Sequence, residues 1–319
     1  MIALDCQLYS VVDDIGFGAL IHALEPRYNI PSRRYFSETV IPSIVERMVR
    51  VIRGKLEVVK YLSFTTDVWS SNVSSDSLLS LTAHWMSDDF QLISAVLQAK
   101  SLEERHTGEY MAMKIAKIME DWGISTNQVH CVVRDNGSNI VKAMNEAGLP
   151  SYGCFAHSLQ LVVHDGLLTQ RVVIDLLATC RSIVGHFKHS SVASHKLARI
   201  QDNLGLPQHT LKQDVATRWN STLYMLQSVL EQKMALAAYA AENDIPQLTA
   251  NQLEIARKMV LILAPVEEIT QAISKQTATQ SMVIPLIRVL LRSWEKEDDD
   301  RGVQTMKNEM VKGVKGRFA

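Results

Sequence analysis

Two apolar runs, each ending on a carboxylate, limit the folds open to this chain more than any other feature. The first is Leu62-Ser63-Phe64-Thr65-Thr66-Asp67-Val68-Trp69, and the second is His130-Cys131-Val132-Val133-Arg134-Asp135-Asn136-Gly137. Runs this short read as strands rather than helices. An ionised carboxylate at the end of a buried strand is costly unless something pairs with it. A divalent cation held between two of them is one solution.

The segments around these runs predict how the strands connect. Tyr61–Asp67 is the first strand, residues 70–76 are turn-rich, and Ser77–Met86 alternates as the second strand. Ser87-Asp88-Asp89 makes a tight turn into a third strand, Phe90–Ala99. A helix over Thr107–Trp122 closes on Gly123 and leads into a strand over Val129–Arg134. Ser138–Ala147 is helical, Tyr152–Phe155 is a fifth short strand, and a long helix starts at Ala156. A three-strand meander followed by a helical crossover sets the first and fourth strands side by side and parallel. Their carboxyl ends then face a common crevice, where open sheets place ligands.

Either side of this centre the chain is helical. Residues 1–60 carry a helix from Val11 to Leu24 and an amphipathic stripe, Ile41, Ile44, Val45, Met48, Val49, Ile52 and Leu56, which reads as core packing. Beyond the centre, helices are expected over residues 158–184, 218–242, 253–274 and 281–294. A solvated charged segment over 295–301 and a frayed tail follow. The expected division is therefore 1–60, 61–165 and 166–319, an α/β core with a helical N-terminal segment and a large all-helical portion.

Composition excludes several classes. Among 319 residues, 47% are hydrophobic and 21% charged, which is ordinary for a globular protein and unlike a disordered one. No apolar run approaches the ~18 residues of a membrane helix, and the first residues lack the pattern of a secretory signal. An intracellular protein with no membrane partner is expected. The cysteines, Cys6, Cys131, Cys154 and Cys180, are scattered without a Cys-x-x-Cys, so neither a zinc finger nor a disulfide framework is expected. The formal net charge is −1, but its distribution is uneven. Residues 27–60 hold eight Lys or Arg against three Glu, residues 65–135 hold ten acids against five bases, and residues 181–199 hold four bases, three His and no acid. An acidic centre between basic flanks suits metal in the middle and phosphates at the sides, although solvated helix faces produce the same runs.

The candidate residues support more than one chemistry. Asp67 and Asp135 could share Mg²⁺, which takes one or two carboxylates together with waters and phosphates. They also fit plain turn roles, Asp67 as a cap and Asp135 in an Asp-Asn-Gly turn. Cys154 and His157 are two ligands, too few for a closed zinc site. Arg218-Trp219, opening a helix, could grip a phosphate and stack on an unpaired base; alternatively the indole is buried beneath the Arg stem.

Order adds what the single motifs lack. Thr65-Thr66-Asp67-Val68-Trp69, Arg134-Asp135-Asn136-Gly137-Ser138-Asn139, Cys154-Phe155-Ala156-His157-Ser158-Leu159-Gln160-Leu161 and Asp214-Val215-Ala216-Thr217-Arg218-Trp219-Asn220-Ser221-Thr222 together resemble the hAT superfamily of DDE-type DNA transposases. The BED-finger proteins derived from those transposases are the nearest in pattern, and Tyr9-Ser10-Val11-Val12-Asp13-Asp14 and Pro31-Ser32-Arg33-Arg34 fit that branch. The resemblance implies a ribonuclease H-like core interrupted by a helical insertion. It implies that Asp67 and Asp135 bind Mg²⁺ or Mn²⁺, which activate water or a 3′-hydroxyl for strand cleavage and joining. It further implies that Cys154 and His157 help position DNA beside the active site and that Trp219 stacks near a flipped base. DNA as partner, the nucleus as location and a homo-oligomer in a full-length protein follow from the same resemblance. The family's third acid, a Glu in a Ser-x-x-Glu-Arg-x-Phe-like segment beyond the insertion, has no match before Ala319, and no BED finger precedes the core. Glu267 and Glu268, inside an apolar helical stretch, are not assigned that role. The expectation is a transposase core without its last ligand and not competent by itself. An active metal-dependent transposase in a longer product is the alternative reading, and a stand-alone nuclease a third.

Overall fold

The computed structural model describes residues 1–71, 76–215, 218–295 and 300–318. The turn expected over 70–76 and the charged segment expected over 295–301 fall largely outside them. The described chain forms two compact units, Met1–Tyr152 and Gly153–Ala319.

The first unit is built on a five-stranded sheet. Strands β1 (Leu62–Ser70), β2 (Ser77–Met86) and β3 (Leu92–Ser101) form the meander, followed by β4 (Val129–Arg134) and β5 (Ser151–Gly153). The spatial order is β3-β2-β1-β4-β5. β1 pairs antiparallel with β2 and parallel with β4, as the crossover argument requires. Alternation along β1 and β2 sends Leu62, Phe64, Leu79, Leu81 and Ala83 to one face, all fully buried or nearly so. Helices α1 (Ile15–Leu24), the short α2 (Arg33–Tyr35) and α3 (Ile41–Leu56) precede the sheet, and α4 (Gly108–Trp122) and α5 (Ser138–Glu146) cover that face together with the C-terminal end of α3. Ile115 and Ile118 of α4 and Ala143 and Met144 of α5 complete this core with Val132. Thr107 caps α4 through its side chain, and Gly123, at φ 68°, ends the helix in the left-handed conformation that glycine adopts without strain.

The N-terminal stripe departs from expectation. Only Leu56 of α3 is buried, while Val45 and Met48 remain largely exposed. The helix is anchored at its C-terminal end, where Arg53 donates to the Asp121 carbonyl at 2.8 Å and lies over the Trp122 ring.

The second unit is all helical: α6 (Phe155–Thr169), α7 (Arg171–His189), α8 (Ser191–Asn203), α9 (Trp219–Glu231), α10 (Lys233–Glu242), α11 (Ala250–Ile273), α12 (Val283–Trp294) and α13 (Gln304–Phe318). Two helices expected as single are broken. The backbone turns extended at Gln170 between α6 and α7, and leaves helical geometry at Gln232 between α9 and α10. Both glutamines hold other segments, Gln232 through the Pro207 carbonyl and Gln170 through the Gly302 carbonyl and the Met306 amide. Gln170 thereby docks the stretch expected to fray. Met306, Met310 and Val314 of α13 are fully buried, Arg317 pairs with Asp165, and Phe318 meets Phe155 edge to face. Close approach of α6 and α13 relies on Gly166, where a Cβ would fall 2.3 Å from Met310 Cγ.

Asp214, with 3% of its side chain exposed, is held by Arg181 of α7 at 2.7 Å. Arg181→Ala leaves that carboxylate buried without its cation, and unfolding in urea should show a loss of about 3 kcal/mol. Burial pushes the neighbouring Cys180 thiol from 9.0 up to about 12. At about pH 8 a thiol reagent should therefore modify exposed Cys6 in the folded protein and reach Cys180 only after unfolding. The unfolded chain gives up this proton at lower pH than the folded one, so the stability contributed by Cys180 falls as pH rises past 9.0 toward about 12.

Candidate functional site

Parallel pairing of β1 with β4 runs through Phe64↔Val132 to Thr65↔Val133 and then stops. Asp67 and Asp135 each lie two residues beyond that last pair, Asp67 within β1 and Asp135 one residue past the end of β4, where neighbouring strands are ~4.8 Å apart. β1 does not end at Asp67, as the apolar run suggested. It continues to Ser70 because β2 goes on pairing with it, from Asp67↔Ser80 to Ser70↔Ser77. The carboxylate thus sits where β4 has left β1 and β2 has not.

Local geometry restrains both acids. Asp67 Oδ1 accepts from the Val68 amide at 3.0 Å. Asp135 Oδ1 accepts from the Gly137 amide at 3.0 Å, the turn that an Asp-Asn-Gly sequence favours, and it does so at the start of α5. A Cβ on Gly137 would lie 3.2 Å from that oxygen, so glycine permits the approach. Among the described residues neither Asp67 nor Asp135 forms a salt bridge, and the second oxygen of each has no hydrogen-bond partner. Arg134 turns away, donating to Ser151 Oγ and to the Asp135 carbonyl. Its burial lowers its proton affinity, and the Asp135 charge opposes that shift. One strand along, Thr65 Oγ1 and His84 Nε2 lie 2.9 Å apart, and burial lowers the affinity of His84 for a proton.

The donors available here are carboxylate oxygens, which fit a hard divalent cation such as Mg²⁺ or Mn²⁺ and not a structural zinc. Two ligands are fewer than a closed site needs. Among the described residues no group of three or more His, Cys, Asp or Glu side chains is arranged to hold a metal.

The remaining candidates belong to the second unit. Cys154 is the N-cap of α6, and its carbonyl accepts from the Ser158 amide; His157, in the first turn, is exposed. Gln160, one turn further on, receives the Trp219 amide on its Oε1 at 3.0 Å. An exposed Arg-Trp pair is not found. Trp219 is 3% exposed and packs in the helical core, leaving Arg218 alone at the surface. Its neighbours are equally engaged: Asn220 donates to Glu267, Ser221 Oγ receives the Val215 amide at 2.7 Å, and Thr222 Oγ1 donates to Asp214 at 3.5 Å. Glu267 is buried and also accepts from Tyr224 and Gln271; its bond to Tyr224 raises the phenol pKa. Gln160 and Glu267 are the residues whose parts sequence reading missed. Gln160 stood inside a quoted motif, whereas nothing linked Glu267 to Asn220, 47 positions away.

Comparison with known proteins follows the same division. Residues 65–147 match the ZBED1 RNase-like domain and residues 152–262 the ZBED1 RNase-like helical domain, together more than half of the chain. The human zinc finger BED domain-containing protein 4 is 34% identical over all of this chain and 28% of its own length. The human zinc finger BED domain-containing protein 6 is 29% identical over 94% of this chain and 32% of its own. A putative AC transposase of Zea mays is 26% identical over 72% of this chain and 30% of its own. The chain spans about a third of the length of these relatives. With an RNase-like core, a helical unit following it and these relatives, the chain belongs to the hAT transposase family, in the branch shared with the BED zinc finger proteins.

Proposed function

We propose that this chain is the core of a transposase-derived nuclear DNA-binding protein, in which Asp67 and Asp135 form the remaining part of a divalent-metal site. The observation that carries this reading is the parallel β1–β4 register, with both acids two residues past its end. Two carboxylates brought this close repel unless a proton or cation lies between them. Each keeps an oxygen that no described residue engages, so neither is consumed by a structural ion pair. Mg²⁺ or Mn²⁺ would supply polarisation of a phosphoryl oxygen and activation of a bound water or hydroxyl. This chain's own part is to fix two ligands through the register and the Gly137 turn.

With no third ligand grouped beside Asp67 and Asp135 among the described residues, the chain tested alone binds metal weakly and does not cut DNA. An active transposase would require a further carboxylate from elsewhere in a longer product. DNA as the partner rests on the transposase relatives and on the uneven charge, with exposed Arg218 and the basic residues of 27–60 as phosphate contacts. Half-buried Cys154 and exposed His157, at the start of α6, are further proposed contacts. Buried Trp219 acts in this reading by holding the α9 start against Gln160.

Mn²⁺ titration followed by electron paramagnetic resonance tests the metal site. Binding should weaken at least about tenfold in Asp67→Asn and in Asp135→Asn, because each removes one of two charged ligands. Equal binding in wild type and both variants would remove the metal assignment. In parallel, plain duplex DNA incubated with the chain and Mn²⁺ should stay intact; nicking lost in Asp135→Asn would instead establish the nuclease reading.

A further inference from the structure

Thr65 is the last residue of β1 that pairs on both sides. It faces Thr82 across the antiparallel ladder and Val133 across the parallel one, and beyond it β1 keeps only β2. Asp67 and Asp135 each follow two residues later. Alternation buries Phe64 and Thr66 and leaves Thr65 and Asp67 exposed on the same face. A hydroxyl thus stands beside the acids on backbone that is held from both directions. Thr66 tightens the hold by donating through Oγ1 to the Ser80 carbonyl at 2.8 Å.

The hydroxyl is itself oriented. Thr65 Oγ1 lies 2.9 Å from Nε2 of half-buried His84 on β2, and a β-branched side chain has few rotamers in which to keep that bond. A hydroxyl has one proton and two lone pairs, so Thr65 retains an open acceptor position whichever way the proton between them points. Burial disfavours charged His84, so the imidazole brings no positive charge toward a cation nearby. Two residues along a strand cover ~6.7 Å. A carboxylate–cation bond and a cation–water bond of ~2.1 Å each, followed by a hydrogen bond of ~2.8 Å, span ~7 Å when extended. Strand spacing therefore sets Thr65 beyond direct ligation of an ion on Asp67 and within reach of a water on that ion.

We propose that Thr65, oriented by His84, is a positioning residue of the candidate metal site, its hydroxyl accepting a hydrogen bond from a water carried by the divalent cation that Asp67 and Asp135 hold. The inference rests on the metal reading of those two acids. A cation with two carboxylate ligands keeps most of its waters, and outer partners that fix such ligands contribute much of a site's affinity. Asp67 and Asp135 supply the charge; Thr65 supplies a fixed acceptor for one of the waters.

Mn²⁺ titration of the whole chain, read by electron paramagnetic resonance, tests the proposal. Thr65→Val removes the hydroxyl at nearly constant volume and suits a strand, so the thermal midpoint should hold while the Mn²⁺ dissociation constant rises about tenfold. Thr65→Ser keeps the hydroxyl and should bind as the wild type does, a rescue that follows the oxygen and not the methyl group. His84→Phe should weaken Mn²⁺ binding in the same direction, and His84→Gln, whose amide can meet Oγ1, should recover it; this second pair decides the matter if Thr65→Val folds poorly. Binding in Thr65→Val equal to wild type, or binding in Thr65→Ser as weak as in Thr65→Val, overturns the proposal. Where Asp67→Asn and Asp135→Asn still weaken binding in that case, only this inference falls. Equal binding in wild type and both Asp variants, or none in wild type, removes the metal reading and this inference with it.

Discussion

The parallel pairing of β1 with β4 is the constraint on which the first unit depends. Four residue pairs bring a strand from the meander beside one that arrives some sixty residues later through α4. Parallel neighbours need such a crossover, and its helix must then bury an apolar face on the sheet. That single pairing accounts for the core formed by Phe64, Val132 and Ile115. It also accounts for the neighbouring positions of Asp67 and Asp135, because a register fixes everything downstream on both strands. The bulge between Leu62 and Ser63 lies upstream of both acids, so it sets the final alignment before they are reached.

In the helical unit a comparable part falls to the segment from Asp214 to Thr222. Its polar side chains and amides engage Arg181 of α7, Gln160 of α6 and Glu267 of α11, so three helices meet on one short stretch. Buried polar groups are tolerated when each is bonded, and such networks specify one packing among several that apolar contacts alone would allow. The arrangement explains why Trp219, the largest side chain of the motif, faces inward: its amide is bound by Gln160 and the following Asn220 by Glu267, both on the core side. A motif rich in residues that could touch nucleic acid is used here chiefly to hold helices.

How much was legible from sequence depended on what kind of question was asked. Alternation in Ser77–Met86 and the apolar run at Val129–Arg134 gave the strands, and the crossover rule gave the β1–β4 neighbours. The Asp135 turn was readable from Asp-Asn-Gly, as was the Gly123 helix end. Periodicity also found the stripe on α3, but it could not say whether anything lay over it, and Val45 and Met48 within it are exposed. The same limit hid the docking of α13, whose weakly patterned sequence looked frayed until Gln170 and Gly166 gave it a seat.

By itself, then, the sequence determined which residues prefer strand or helix, where turns fall and which acids end near the sheet crevice, because these follow from local conformational preference and from spacing along the chain. Only the tertiary structure decided that β1 outlasts β4 at Asp67, that Trp219 is inside and Arg218 outside, and that Glu267 belongs with Asn220. Those outcomes depend on contacts between residues far apart in sequence. Whether a polar or aromatic group meets water or a partner is settled by the segments that happen to pack against it, and no single stretch of chain carries that information.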